Sequence, residues 1–245
     1  MTLPYCSSLS TGRFTASRLD AIVRPEVVQD LPLVVYLHGS GADASQATGN
    51  GLASIGAKVV ALAQAGFTVV APSLGTTWGS STCDSYVDDA VTYARANLGA
   101  SQEPPIIFGA SMGTTCGMDY ATDHTVAGLI CILSIPDLQN VVANDLSSLR
   151  AQINVAWGRS SGDTSTLPAG ADPAVQTTAL SQVHQLLYYS TDDTLSTNAS
   201  TYAASTGASL RSLGALGHTD AAIAAAPTAD LVQFCRHHSR KRVTL

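Results

Sequence analysis

The stretch Ile106-Ile107-Phe108-Gly109-Ala110-Ser111-Met112-Gly113 changes character halfway along. An apolar run of strand length ends in G-x-S-x-G and passes directly into a polar, helix-compatible segment, Thr114 to His124. Strand, serine-bearing turn and helix in that order are the sequence form of a nucleophile elbow. The turn must project the serine hydroxyl in a crowded, strained backbone conformation. Glycine at the second position on either side removes the Cβ atoms that would collide there. The helix that follows turns its positive end toward the place where an oxyanion would develop. In a chain with 20 glycines the pattern alone is weak. Its weight comes from what stands in order around it.

The strand–helix rhythm extends in both directions. Upstream, Leu33-Val34-Val35-Tyr36-Leu37 is a continuous apolar run that ends in His38-Gly39-Ser40-Gly41. Continuous rather than alternating apolarity predicts a strand covered on both faces. Leu52, Ile55, Val59 and Leu62 recur at helical spacing, with Gly66 as the stop. Phe67 to Pro72 reads as the next buried strand, and Val87, Val91, Ala94 and Leu98 line one face of a helix over 84–98. Pro104-Pro105 leads into the elbow strand. Alternation of this kind predicts a mostly parallel sheet with helices on both faces. At the N-terminal end, residues 13–28 read as one or two short strands with a turn near Arg24-Pro25-Glu26.

Downstream, Val126 to Ile135 is another buried strand. The rhythm is then lost over residues 136–181, where Leu146 to Arg150 reads as helical and Gly158 to Pro173 as loop. This segment is expected to be a small cap inserted over the active site. The rhythm resumes with a strand at Gln185–Tyr189, a helix near 198–206, a strand from Ser209 to Leu213 and a closing helix over 228–238. That helix carries Leu231, Val232, Phe234 and Cys235 on its inner side. One domain spanning residues 1–245 is expected, since α/β chains of this length often fold as a unit.

The chain of 245 residues is 45% apolar and 12% charged, with a net charge of −6. The acidic balance argues against a nucleic-acid partner. The basic run Arg236 to Arg242 reads as a solvated tail. Met1 to Tyr5 lacks the charged start and apolar core of a signal peptide, and no run reaches the ~18 apolar residues that span a bilayer. A soluble, cytoplasmic protein without a stable membrane anchor is expected; virion association and non-classical export leave no trace in a sequence. The five cysteines (Cys6, Cys83, Cys116, Cys131, Cys235) match neither a metal cluster nor a disulfide framework. Cys116 and Cys131 read as small core residues, and a Cys6–Cys83 bridge stays open.

A serine hydroxyl needs a base, and the base needs an orienting acid. The base candidate is His218, in Leu216-Gly217-His218-Thr219-Asp220. The acid candidate lies in Tyr189-Ser190-Thr191-Asp192-Asp193-Thr194-Leu195; Asp193 is favoured over Asp192, with Asp163 and Asp172 as weaker rivals. Ser111, Asp193 and His218 then follow the chain order known for a nucleophile elbow. Each belongs to a loop after a predicted strand, so the three can converge. Two backbone amides would form the oxyanion hole: Met112, directly after the serine, and Ser40, with Gly41 as its alternative. His38 is expected to brace that loop rather than act as a base. His124, His184, His237 and His238 sit in no motif and are read as structural or exposed. Trp78, Trp157 and Leu167 fit either a pocket lining or core packing.

These residues resemble the α/β-hydrolase superfamily, over nearly the whole chain. L-H-G-S-G (37–41), G-A-S-M-G (109–113), Y-Y-S-T-D-D-T-L (188–195) and L-G-H-T-D (216–220) look like its oxyanion, elbow, acid and histidine loops. The segment Leu149 to Gly158 looks like a helical cap piece of small bacterial and phage members. In relatives the acid loop commonly runs small-x-x-Asp, which places the acid at Asp193; Ser190 stands where glycine is frequent, which keeps Asp192 in play. The resemblance implies a serine hydrolase cleaving small-molecule carboxylic esters through an acyl-enzyme, with no metal or organic cofactor. Thioester or peptide hydrolysis by the same triad is the alternative within enzymes. A non-catalytic binding or structural module that kept the fold is the alternative outside them. Oligomeric state is not legible.

Overall fold

The structure, a computed structural model, describes residues 4–14, 18–26 and 30–239. Its chain opens with a hairpin, β1 (Tyr5–Thr11) paired antiparallel to β2 (Leu19–Pro25). Six further strands follow: β3 (Leu33–Leu37), β4 (Thr68–Ala71), β5 (Ile106–Ala110), β6 (Gly128–Ile132), β7 (Gln185–Tyr189) and β8 (Ser209–Ser212). They form one sheet in the order β1-β2-β4-β3-β5-β6-β7-β8. From β4 to β8 every neighbouring pair is parallel; β2 runs antiparallel to β4.

The continuous apolar runs are explained by the layers. All residues of β3, β5 and β6 are buried, and alternate side chains feed two separate cores. Val34, Tyr36, Ile106, Phe108, Ile130 and Ile132 pack toward α1 (Ala53–Gln64) and, from later in the chain, toward residues 220–238. Leu33, Val35, Leu37, Ile107, Leu129 and Cys131 pack on the opposite face against α2 (Ser81–Asn97) and α3 (Met112–Asp123). Full burial of one such aliphatic side chain contributes about 1.5–3 kcal/mol, so the two cores hold the helical layers onto the sheet. Tyr36, buried between sheet and α1, donates its hydroxyl to Gln46 Oε1 at 3.0 Å.

Between β6 and β7 the chain makes α4 (Leu138–Asn144), α5 (Arg150–Ala156) and α6 (Thr177–Leu180). After β7 come α7 (Ala199–Thr206), β8, α8 (Asp220–Ala225) and α9 (Thr228–His238). The expected helix at Leu146–Arg150 is displaced: Ser147 has φ +52° and breaks any regular helix there, so α5 begins at Arg150. α2 begins at Ser81, earlier than the apolar spacing suggested. β2 runs through Arg24 to Pro25, where a turn was expected; a proline is tolerated at a strand end, and Pro25 stands opposite Tyr5. Part of the stretch 13–28, and Arg240 to Arg242 of the basic run, lie outside the described residues.

All five cysteines are free, which removes the Cys6–Cys83 bridge: Cys6 is exposed on the edge strand and Cys83 is buried in the core. Trp78 is wholly buried, and Trp157 packs over it and donates its indole N–H to the Trp78 carbonyl at 3.1 Å. Leu167 is buried in the same core. Trp78 and Leu167 therefore serve packing, and Trp157 is half-buried against the same core. Among the described residues no helix is long and apolar enough to cross a membrane.

Candidate active site

Ser111 sits between the end of β5 and the start of α3 with φ +54° and ψ −123°. A non-glycine residue held there costs of order 1–3 kcal/mol and persists only where its surroundings enforce it. They do. The Ser111 amide donates to the Ile132 carbonyl at 3.0 Å, and the Ser111 carbonyl accepts from the Thr114 amide at 2.8 Å and hydroxyl at 2.7 Å. A Cβ on Gly109 would strike the Gly113 carbonyl, and a Cβ on Gly113 would strike the Leu37 carbonyl. G-x-S-x-G is thus required by sterics: β3, β5 and α3 approach too closely for side chains at those two positions.

Three of the residues singled out from sequence meet at the C-terminal ends of the strands. His218 Nε2 lies 2.7 Å from Ser111 Oγ, and His218 Nδ1 lies 2.7 Å from Asp193 Oδ2. Asp193 is 5% exposed. Burial alone would raise its pKa; the His218 contact, the Leu195 amide at 3.0 Å and the Ser196 hydroxyl at 3.0 Å outweigh burial and hold it below the ordinary value. An ionised Asp193 only accepts hydrogen bonds, so Nδ1 carries the imidazole proton. Nε2 is then the acceptor facing the serine hydroxyl.

The neighbouring Asp192 is turned the other way. Its Oδ1 accepts from the Ser190 hydroxyl at 2.6 Å and from the Gly217 amide at 2.7 Å, and both bonds lower its pKa. Ser190 Oγ also accepts from the Leu216 amide at 2.9 Å. Asp192 and Ser190 therefore hold the backbone on which His218 rides, while Asp193 contacts the ring. The serine that departs from the superfamily pattern has a structural use of its own. The weaker rivals lie elsewhere: Asp163 pairs with Arg159 at 3.0 Å, and Asp172 accepts from the Leu138 amide at 3.0 Å.

Across from the elbow, the loop after β3 passes close to the serine; a Cβ on Gly39 would stand 3.4 Å from Ser111 Cβ. His38 is fully buried and braces this loop. Its Nε2 accepts from the Leu74 amide at 2.7 Å, so Nδ1 is the donor to the Gly39 carbonyl at 2.8 Å. Burial pushes its pKa down and keeps that neutral tautomer. Met112 is the first residue of α3, so its amide has no carbonyl one turn earlier to bond. Two residues the sequence did not flag also reach the site. Ser196 bonds Asp193 Oδ2, and Gln152 on α5 accepts from the Ser40 hydroxyl at 2.7 Å. No sequence pattern marks either one. Among the described residues, no group of three or more His, Cys, Asp or Glu side chains is placed to hold a metal ion.

A family model, serine aminopeptidase S33, matches residues 30–161, more than half of the chain. No curated protein matches the sequence. Among solved structures, the chain is similar to the substrate-bound fluorophosphonate-binding serine hydrolase F (FphF) of Staphylococcus aureus, at TM-score 0.72 and 16% identity over 96% of this chain and 99% of that one. It is also similar to the S-formylglutathione hydrolase FrmB of the same organism, at TM-score 0.67 and 16% identity over 94% and 96% of the two chains. A third is carboxyl esterase 2 of the mycorrhizal fungus Tuber melanosporum, at TM-score 0.68 and 13% identity over 97% and 89%. Identities this low speak to the fold. With the family matched across the loop after β3, the elbow and much of the segment before β7, the chain belongs to the serine aminopeptidase S33 family of serine hydrolases and has the α/β-hydrolase fold.

Proposed function

We propose that this chain hydrolyses carboxylic esters by an acyl-enzyme route, with Ser111 as nucleophile, His218 as general base and acid, and Asp193 as the orienting acid. The observation that supports it most is the unbroken line from Ser111 Oγ through both His218 nitrogens to Asp193, with 2.7 Å at each contact. In this reading the Ser111 oxygen attacks the ester carbonyl while His218 Nε2 takes its proton. The imidazolium then protonates the departing alkoxide, leaving Ser111 acylated. A water attacks the acyl carbon, its proton passes to His218 and on to Ser111, and the carboxylic acid leaves. The amides of Met112 and Ser40 would donate to the oxyanion in both steps, each worth on the order of 3 kcal/mol. The segment 136–181, tied to the oxyanion loop through Gln152, would form one wall of the site.

The same triad serves thioesters and peptides, and the family's description is that of an aminopeptidase. An aminopeptidase must recognise a substrate ammonium group, which calls for a carboxylate left free to face it. Both carboxylates of the acid loop are committed to the histidine loop, so neither is free for that role. A non-catalytic module would have no need to hold a strained Ser111 against a correctly polarised imidazole. The test is a comparison of kcat/KM on p-nitrophenyl acetate, butyrate and octanoate, on S-formylglutathione, and on alanine p-nitroanilide. Oxygen esters should be the best class. Preference for the anilide would move the chain to peptide hydrolysis, and preference for the glutathione substrate to thioester hydrolysis.

A further inference from the structure

The loop that carries Ser40 is held from two sides. On the inner side His38 bridges the Gly39 carbonyl and the Leu74 amide, and the Gly39 amide points at Gln46 Oε1 at 3.4 Å. On the outer side, toward solvent, the Ser40 hydroxyl donates to Gln152 Oε1 at 2.7 Å, across 112 residues of chain. The helix that presents Gln152 is firmly seated. Ile153 and Asn154, the next two residues, are fully buried. The Asn154 amide nitrogen donates to the carbonyls of Ser161 and Asp163, at 3.2 and 2.8 Å. Arg150 Nε donates to the Val142 carbonyl at 2.6 Å, and Trp157 ties the end of α5 to the Trp78 carbonyl. An exposed glutamine on a rigid helix, bonded to a residue of the oxyanion loop, has the geometry of a brace.

We infer that Gln152 is a positioning residue for the oxyanion hole, fixing the Ser40 backbone amide through the Ser40 side chain and so coupling the placement of α5 to catalysis. The inference rests on the serine-hydrolase reading above. A neutral hydrogen bond between partly exposed groups contributes little to global stability. A displacement of the donor by a fraction of an ångström, however, weakens stabilisation of the transition state far more than binding of the ground state.

The test is kinetic, on p-nitrophenyl butyrate, with wild type, Gln152→Ala, Gln152→Glu, Ser40→Ala and the Ser40→Ala/Gln152→Ala double variant. Gln152→Ala and Ser40→Ala should each lower kcat by roughly tenfold, with KM within about twofold and an unchanged melting temperature. Gln152→Glu keeps an acceptor for the Ser40 hydroxyl and should recover most of the loss. The double variant should be no worse than the worse single, because both remove one bond. Unchanged kcat in Gln152→Ala overturns the inference. So does a loss carried by KM alone that Gln152→Glu fails to rescue, which would make Gln152 a substrate contact. Fluorophosphonate labelling of the same wild-type sample separates the two levels. If wild type neither labels at Ser111 nor turns over ester, the serine-hydrolase reading fails and this inference falls with it. If wild type does both and the variants match it, only the inference fails.

Discussion

His218 and Ser111 belong to loops 107 residues apart in the chain, yet His218 Nε2 stands 2.7 Å from Ser111 Oγ. The imidazole is delivered there by its backbone: the Leu216 and Gly217 amides are anchored on Ser190 and Asp192, and Thr219 caps α8 behind it. His218→Ala removes the imidazole, the proposed base, while leaving those anchors in place. Ester turnover should fall by about 10⁴–10⁶-fold with little change in melting temperature. Steady-state kinetics beside a thermal melt checks both; a loss under tenfold would deny His218 the role of base.

The two adjacent carboxylates should separate cleanly. Asp193→Asn breaks the bond that sets the imidazole tautomer and should cost roughly 10²–10⁴-fold in kcat. Asp192→Asn keeps an oxygen able to accept from Gly217 and should cost no more than about tenfold, by loosening the histidine loop. Equal losses in the two variants would overturn the assignment of Asp193.

Strain at the elbow predicts a trade between stability and activity. Ser111→Gly places at φ +54° a residue that adopts positive φ freely. Relief of about 1–3 kcal/mol exceeds the extra chain entropy of glycine, about 0.5–1 kcal/mol. The inactive variant should melt roughly 2–4 °C higher for each kcal/mol gained. Gly113→Ala should do the opposite and destabilise the fold, because its Cβ would meet the Leu37 carbonyl. Calorimetry on both variants is the check, and an Ser111→Gly protein that melts lower than wild type would deny that the turn is strained.

A second group of carboxyls, away from the elbow, contributes to the pH response of stability. Burial, reinforced by the charges of Asp84 and Asp123, pushes Asp119 up to about 8, and burial pushes Asp84 up to about 6. In the unfolded chain an Asp titrates at about 3.9. Between about pH 4 and pH 8 the folded chain therefore keeps protons that the unfolded chain has lost, so raising pH through that window costs stability. His38 and His238, both depressed, titrate with the opposite sign below about pH 6.5. The Asp119 contribution is therefore read above that, where wild type should melt lower at pH 8 than at about pH 6.5. Asp119→Asn mimics the protonated carboxyl and should show a smaller drop, the remainder coming from Asp84. Identical slopes in the two proteins would contradict the assignment.

The parts of this molecule that sequence made legible are those where one physical constraint dominates. β3, β5 and β6 are buried on both faces, so nothing but continuous apolarity fits them. Gly109 and Gly113 are fixed by backbone contact, and the order Ser111, Asp193, His218 follows from the strand order that brings their loops together. β1 was not visible because Tyr5–Thr11 is a mostly exposed edge strand of polar residues, with no buried face to impose a pattern. α4 leaves no periodic signal because its seven residues give less than two turns of apolar spacing. α5 starts later than the apolar residues Leu146 and Leu149 imply because Ser147 and Ser148 both take left-handed backbone, which no sequence pattern marks. Ser196 and Gln152 act through single hydrogen bonds to the site, and one polar residue among many carries no periodic signal.

Reaction of the intact protein with a fluorophosphonate, followed by peptide mapping and repeated on Ser111→Ala and His218→Ala, bears most directly on the central claim. The expected result is one modified peptide carrying the adduct on Ser111, absent in Ser111→Ala and formed far more slowly in His218→Ala. A folded wild-type protein that stays unmodified, or one modified equally fast without His218, would contradict it.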